Sequence, residues 1–543
     1  MEPFLLNEQI MKTKSKTLLI ISAVILATWT ARAETINSTY TGPIGWNWSD
    51  PGNWSPAVVP DNTSTKKFNV SIGGSAFPIV ILDTDVNLRR LNLTDDGTAL
   101  LLQDHSLTTA HSSIGVNFPD ELFGGGVIFA LAVNTSVLGD LGNLEDFSGT
   151  TLKSGVYLAF ASDPSLTSII RFNSADIRTN SATVQEGGIG GRITDESGRD
   201  ALRHLQRNAV DGDLDFEVGR NFTTEGSLVN EGEIDVFAKD PAFTSGDVTT
   251  RLTINGNYTG LGYPLDPNTV GLANLIAPGP KGDARMIING ALTNYDADSH
   301  TLHKTYYGWQ AAHGASATTR VLGGSKPLDI VTSEASLNLI GPNTGFRDNC
   351  GRDALRNLAV SARMIVSNQD FTTADSFVST SRLSVFGGTR FAVNGHLTIR
   401  NGFFEVSPFS GYVREGSGGF PTKPYLSSQV IVRGNFNLPW PAVLRFHIFD
   451  HEKTATVDVK ETAVFAGALE AALEKPRRIS SSDSFTVLTA DKIAGQFSNV
   501  ASGGRVDVFS NYDDLGNPIG NRVGTFCVTY NKAALVLSDF KPQ

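Results

Sequence analysis

Short runs of alternating apolar and polar residues, cut by Gly and Asn, set the texture of this chain. "LVNEGEIDVF", "RLSVFGGTRFAVNGHLTI" and "SSQVIVRGNFNL" each alternate for about five residues before a turn signal intervenes. Alternation of this kind sends one set of side chains inward and the other outward along a strand. Strands that follow one another this closely, without helical periodicity between them, predict an all-β chain. It would be either an antiparallel sandwich or a coil-by-coil β-solenoid.

The pattern also repeats at long range. "SGRDALRHL" begins at Ser197, and "CGRDALRNL" begins at Cys350, 153 positions later. Asp176-Ile177-Arg178-Thr179 matches Asp329-Ile330-Val331-Thr332 at the same offset. Phe222-Thr223-Thr224 matches Phe371-Thr372-Thr373 at an offset of 149, and each leads into Val-Phe, at Val236-Phe237 and Val385-Phe386. "GNLEDFSGTTLKSGVY" from Gly142 pairs with "GALTNYDADSHTLHKTYY" from Gly290 at 148 to 150, and "RLTINGNYTG" from Arg251 has a looser counterpart in "HLTIRNGFFEV" from His396. Collinear matches at drifting offsets mark a tandem duplication with small loop insertions.

Repetition and length together favour the solenoid, in which each coil buries its apolar face on the next and the core need not widen. The expected fold is therefore a right-handed parallel β-helix with a cap at each end. Coils of roughly 20–25 residues stacked about 4.8 Å apart would give a rod on the order of 100 Å long. The repeated phrase reads as architecture. Ala201, Leu202 and Leu205 fall at helical spacing and leave Arg199, Asp200 and Arg203 for solvent, so a short amphipathic helix or turn docks on the flank. The second copy keeps Leu355 and Leu358 and exchanges His204 for Asn357. Catalytic use would need a nucleophile, base or metal set common to both copies, and there is none.

The first residues modify this picture. "MKTKSKTLLIISAVILATWTARA" from Met11 has the basic start, apolar run (Leu18 to Trp29) and Ala-Arg-Ala site of a secretory signal, with Met11 the expected start. The run is short for a membrane span. The expected organisation is a signal peptide over 1–33, a Trp-containing entry with the first coils over 34–141, repeat units over 142–289 and 290–440, and a β cap module over 441–543. The chain carries a net charge of −11, and removing the signal takes away a net +2, leaving −13. An acidic surface disfavours nucleic acid and anionic lipid as partners. Cys350 and Cys527, the only cysteines, are read as unpaired thiols.

Open solenoid ends are unpaired sheet edges and must be covered. The N-terminal candidate is "GWNWSDPGNWSPAVVPDN", whose Trp46, Trp48 and Trp54 form either a compact plug or a candidate glycan-stacking contact. The C-terminal candidate begins near Val457. Its residues Asp483, Phe485, Val487, Leu488, Ala490, Ile493, Gly495, Phe497, Asn499, Val500, Phe526, Val528, Tyr530, Val536 and Leu537 spell D-x-F-x-V-L-x-A, I-x-G-x-F-x-N-V, F-x-V-x-Y and V-x-L. This pattern resembles the terminal module of bacterial exported β-helix surface proteins, the autotransporter-passenger and haemagglutinin-like group. The Trp48 entry and the twin units resemble that group too. The resemblance implies a right-handed parallel β-helix outside the inner membrane with an adhesive or coat role. Ser482 stands where that group often has Gly, and neither a translocator barrel nor a sortase-type tail follows "SDFKPQ", so the resemblance does not supply the route of release.

Enzymatic chemistry on such a scaffold needs clustered carboxylates, as a Ca²⁺ cage or an acid/base pair. "DGDLD" (Asp211, Asp213, Asp215) starts like a Ca²⁺ loop, but Phe216 occupies the Gly position, so a strand-edge or loop acid run is expected. Asp95-Asp96 and Asp513-Asp514 sit in expected turns. Asp296, Asp298, His300 and His303 form the most metal-like group, yet the first copy has Thr150 and Lys153 at the two histidine positions, which favours a decorated loop. His447, Asp450 and His451 read as a strand entering a turn. No metal or cofactor is expected. The expectation is an exported, adhesin-like binder of polysaccharide or cell-surface glycans, with a carbohydrate-active β-helix enzyme or a passive spacer as the alternatives.

Overall fold

A computed structural model describes residues 33–543 apart from 75–77, 96, 116–125, 239–247, 262–271, 279–280, 409–425, 450–454, 474–478, 511–517 and 519. Residues 1–32 of the expected signal segment 1–33, together with Asp96, Asp450, His451, Asp513 and Asp514, lie outside the described residues. The molecule is all-β, and the one helical element among the described residues is the 3₁₀ turn Pro51–Asn53.

Most strands pair in parallel with a strand one coil later. After Asp213–Glu217 the chain makes Asn221–Thr224 and Leu228–Asn230, then returns as Glu233–Phe237 beside Asp213–Glu217. The other two strands pair onward in the same way, with Thr249–Ile254 and Tyr258–Gly260. The longest face, from Trp46–Asn47 to Arg505–Phe509, is made by sixteen successive parallel pairings. This parallel stacking over several sheets is compatible with a β-solenoid. Sixteen steps of about 4.8 Å give a stack about 75 Å long. The stack is shorter than the sequence suggests because coil length runs from 18 residues (Val360 to Val378) to 40 (Phe403 to Val443).

Alternation within the strands explains the core. Val184, Leu214, Ile234, Ala273, Tyr307 and Leu337 stand in one inward column, each in register with the next and buried. One corner needs more than apolar contact, because the turn into the long face leaves carbonyl groups pointing inward. A buried asparagine ladder satisfies them. Asn180 donates to Asn208 at 2.9 Å, Asn208 donates to Asn230 at 3.0 Å, and Asn230 donates to the Tyr258 hydroxyl at 3.3 Å. The same amides reach Ala182 O at 2.9 Å, Glu233 O at 2.8 Å and Leu272 O at 3.0 Å.

The two ends close differently. At the N-terminal end Glu34–Tyr40 pairs antiparallel with Trp54–Ser55, and Trp48 packs on Trp54 with ring centroids 4.6 Å apart. At the other end pairing turns antiparallel. Ala534–Pro542 lies against both Ser484–Gly495 and Arg522–Tyr530, and the latter pairs with Arg505–Phe509. Phe465 stacks on Phe497 at 4.4 Å beneath this closure, and Asn499 both accepts from and donates to the backbone of Leu469. Cys350 and Cys527 are free thiols.

Removing one rung of the ladder tests how much it contributes. Asn208→Ala leaves buried carbonyl groups without donors and is expected to cost about 1–3 kcal/mol. Urea unfolding should show a lower midpoint at unchanged slope, and an unchanged midpoint would show that the ladder is dispensable.

Candidate functional site

The outward side of the long face carries one column of side chains traceable through ten registers. It runs Gln185, Asp215, Asp235, Asn274, Gly308, Asn338, Ile365, Ser384, Glu405, Arg445, Glu470. Nine of these eleven residues are polar or charged, whereas the inward column of Val184, Leu214, Ile234, Ala273, Tyr307 and Leu337 on the same strands is mainly apolar.

Carboxylates dominate the early part of the column. Asp213 lies beside Glu233 and Asp215 beside Asp235 on adjacent parallel strands, with Glu217 on the same face. An amide brackets the central pair on each side, since Gln185 donates to Asp215 and Asn274 donates to Asp235 at 2.9 Å. Gly308 makes room for this arrangement, because a Cβ there would lie 2.4 Å from the Asn274 amide oxygen. Asp215 is buried. Burial first, and then the charges of Asp213, Asp235, Glu217 and Glu233, push its carboxyl well above the usual range. Such a pair retains a proton where an isolated carboxylate would have lost it.

Further along the face the charges compensate one another. Arg382 donates to Glu405 at 2.8 Å, His447 Nε2 lies 2.7 Å from the other Glu405 oxygen, and Arg445 donates to Glu470 at 2.6 Å while covering the Phe403 ring at 4.8 Å. Burial opposes ionisation of Glu405, but His447, Arg382 and Arg445 overcome it and hold the carboxyl well below its ordinary range. This half of the face is a closed ion-pair network.

The duplicated phrase has the same construction in both copies. Asp195 accepts the N–H groups of Ser197 and Arg199, both at 2.9 Å, and the Arg199 Nε–H at 2.8 Å. Asp348 does the same for Cys350 (2.9 Å), Arg352 (2.8 Å) and the Arg352 Nε–H (2.8 Å). Ala201, Leu202 and Leu205 are buried, as are Ala354, Leu355 and Leu358, so the segment is a docked turn rather than a helix. His204 and Asn357 meet equivalent partners, Asp176 and Asp329. The copies differ beneath the loop. In the first, buried Glu186 accepts from Arg220 at 2.7 Å and from Ile193 N–H at 2.7 Å, and Arg220 also binds Asp200. The second copy has Leu339 at the position of Glu186.

The residues singled out from sequence are distributed as follows. Asp211 lies in an exposed turn, as expected, whereas Asp213 and Asp215 belong to a central strand rather than an edge or loop, because Glu233–Phe237 continues the sheet beyond them. Asp296, Asp298, His300 and His303 turn to separate partners: Ser299 (2.6 Å), Lys326 (3.0 Å), Asp329 O (3.0 Å) and Glu334 (3.3 Å). Trp48 and Trp54 are buried and donate their ring N–H groups to Pro60 O at 3.0 Å and Trp48 O at 2.8 Å, whereas Trp46 is 50% exposed. The three indoles therefore share no solvent-facing platform, and Trp46 alone offers a face. Gln185, Glu233, Asp235 and Asn274 were not anticipated as a group. The available signal was the acid-x-acid pattern of "DLDFE" recurring as "EIDVF" 20 positions later.

No family model, curated protein or solved structure matches this chain. No helix among the described residues is long and apolar enough to cross a membrane.

The raised Asp215 carboxyl sets a stability-versus-pH signature. In the folded protein it keeps its proton over a range where the unfolded chain, titrating near the ordinary 3.8, has lost it. The folded state then binds more protons, so its contribution to stability falls as pH rises through that range and is lost once the folded carboxyl has ionised. Asp215→Asn cannot titrate. Its stability relative to the parent should increase from pH 4 to pH 8 in urea unfolding, and a difference independent of pH would refute the assignment.

Proposed function

We propose that this chain is an exported, non-enzymatic surface or matrix protein, a right-handed parallel β-helix that binds polysaccharide or neighbouring cells along its flank. The observation that carries this reading is the run of sixteen parallel steps, which sets side chains in straight columns over about 75 Å. A flank of that length suits an extended polymer, which gains affinity from many weak contacts in series. Partly exposed Gln185, Asp213, Glu233, Asn274, Tyr306 and Asn338 supply donors and acceptors suited to sugar hydroxyls. The secretory signal and the resemblance of the C-terminal segment to exported β-helix surface proteins support placement outside the inner membrane. A passive spacer would bind nothing.

A second reading has one specific observation in its favour. Asp215 and Asp235 are adjacent carboxyls, one of them inclined to keep its proton, which is the starting condition for a general acid beside a base in glycoside cleavage.

Both readings are tested with purified residues 34–543, incubated with a polysaccharide panel and with source cells, measuring co-sedimentation and new reducing ends. Retention without product is expected, and Asp215→Asn and Asp235→Asn should leave retention unchanged within twofold. New reducing ends abolished by either substitution would establish the enzyme instead. Absence of retention on every surface would leave the spacer.

A further inference from the structure

A second flank carries the opposite charge. The five-stranded sheet Asn221–Thr224, Thr249–Ile254, Asp283–Ile288, Ser316–Val321, Thr344–Arg347 places one arginine on the outward side of each of four consecutive strands. Arg251 lies directly beside Arg285, and Arg320 directly beside Arg347, the second pair displaced by two residues along the strand. Arg251, Arg285 and Arg320 are exposed and Arg347 is partly so. Only Asp283, bound to Arg285 and to Ser316 Oγ, and Asp353 at the margin, 3.5 Å from Arg347, oppose them among the described residues. A shallow groove of about 230 Å³ runs between Arg285, Arg320 and Arg347, lined also by Ser316, Thr318 and Gly351, and Arg251 lies beside Arg285 at its margin.

Like charges set directly across adjacent strands repel. Two such pairs stand on one face of a chain with net charge −11. An anion lying between guanidinium groups would remove that repulsion and gain paired N–H donors of fixed geometry, which lysine could not offer. Thr249, Thr253, Ser316 and Thr318 stand outward between the arginines and add hydroxyl groups. The outward side chains of these strands include no aromatic ring on which a base could stack, as single-stranded nucleic acid would require.

We propose that this arginine row is the binding site for an anionic polysaccharide, its carboxylate or sulfate groups lying on Arg251, Arg285, Arg320 and Arg347 and its hydroxyls on the threonine and serine rows. The row covers three strand steps, about 14 Å along the stack. This inference rests on the glycan-binding reading and names the ligand class and the face. It also separates the two flanks, since the carboxylate column would repel the same polymer.

The experiment measures binding of residues 34–543 to heparin (sulfated), polygalacturonate (carboxylated), dextran (neutral) and poly(dT), at low and at high NaCl. Heparin or polygalacturonate should bind more tightly than dextran and poly(dT), and should weaken with salt as exposed charges are screened. Arg251→Gln/Arg285→Gln/Arg320→Gln should weaken anionic binding at least tenfold. The corresponding triple Lys variant should fall between it and the parent, and Arg400→Gln, on an exposed turn elsewhere, should have no effect. Thermal unfolding of each variant confirms that it is folded. Binding unchanged in the triple Gln variant overturns the site. A preference for dextran overturns the ligand class while leaving glycan binding intact, and equal or tighter binding of poly(dT) overturns the choice of polysaccharide over nucleic acid. Failure to bind any of the polymers, or any surface tested above, defeats the underlying reading as well.

Discussion

Most strand residues described in this molecule answer to the residue one coil away, because parallel strands in register bring equivalent positions to about 4.8 Å of each other. A side chain is therefore tolerated only if its column tolerates it. Apolar residues satisfy this condition at once and fill the inward columns. Asparagine satisfies it by donating along the ladder and accepting from it, as Asn180, Asn208 and Asn230 do. Buried charges meet the condition only with compensation. Glu405 receives Arg382, His447 and Arg445, whereas burial and the neighbouring acids push the Asp215 carboxyl toward its protonated form. The three regimes of this structure, dry core, amide corner and charged flank, all follow from that one spacing.

The same rule explains what could be read from the sequence. Alternation located the strands, and the collinear echoes located equivalent segments. The Asp195 and Asp348 loops have matching hydrogen bonds, and the hairpins Phe147–Ser148/Thr151–Leu152 and Tyr295–Asp296/Thr301–Leu302 pair alike. Local chemistry was legible wherever it was local, as in the docking of Leu202 and Leu205. The charged columns were not, because their members are whole coils apart and coil length varies between 18 and 40 residues. No fixed spacing links Asp215 to Asp235 and then to Asn274. The tryptophans show the opposite limit, in which a compact motif was visible but its orientation depended on a strand pairing, Tyr40 with Trp54, that composition does not reveal.

Divergence between the two copies is informative in the same way. The loop scaffold is retained, aspartate staple included, while the layer beneath it has changed from Glu186 with Arg220 to Leu339 with Gln369. Breaking a buried ion pair by removing one partner is costly because it strands the other charge, and here neither charge remains, since Gln369 stands at the position of Arg220. The second copy therefore retains the exterior of the loop on a simpler interior.

The change from parallel to antiparallel pairing at the C-terminal end gives the stack a direction. A parallel edge is a template on which another chain of the same sense can continue the ladder. Here the last strands fold back on one another, so the hydrogen-bonding groups that would propagate the stack are spent within the molecule. At the opposite end the Trp46–Asn47 edge strand is only two residues long, and Trp54–Ser55 covers Thr39 and Tyr40 of the edge strand Glu34–Tyr40. The parallel pairing thus ends within the molecule at its C-terminal end, which removes that edge as a template for a second chain.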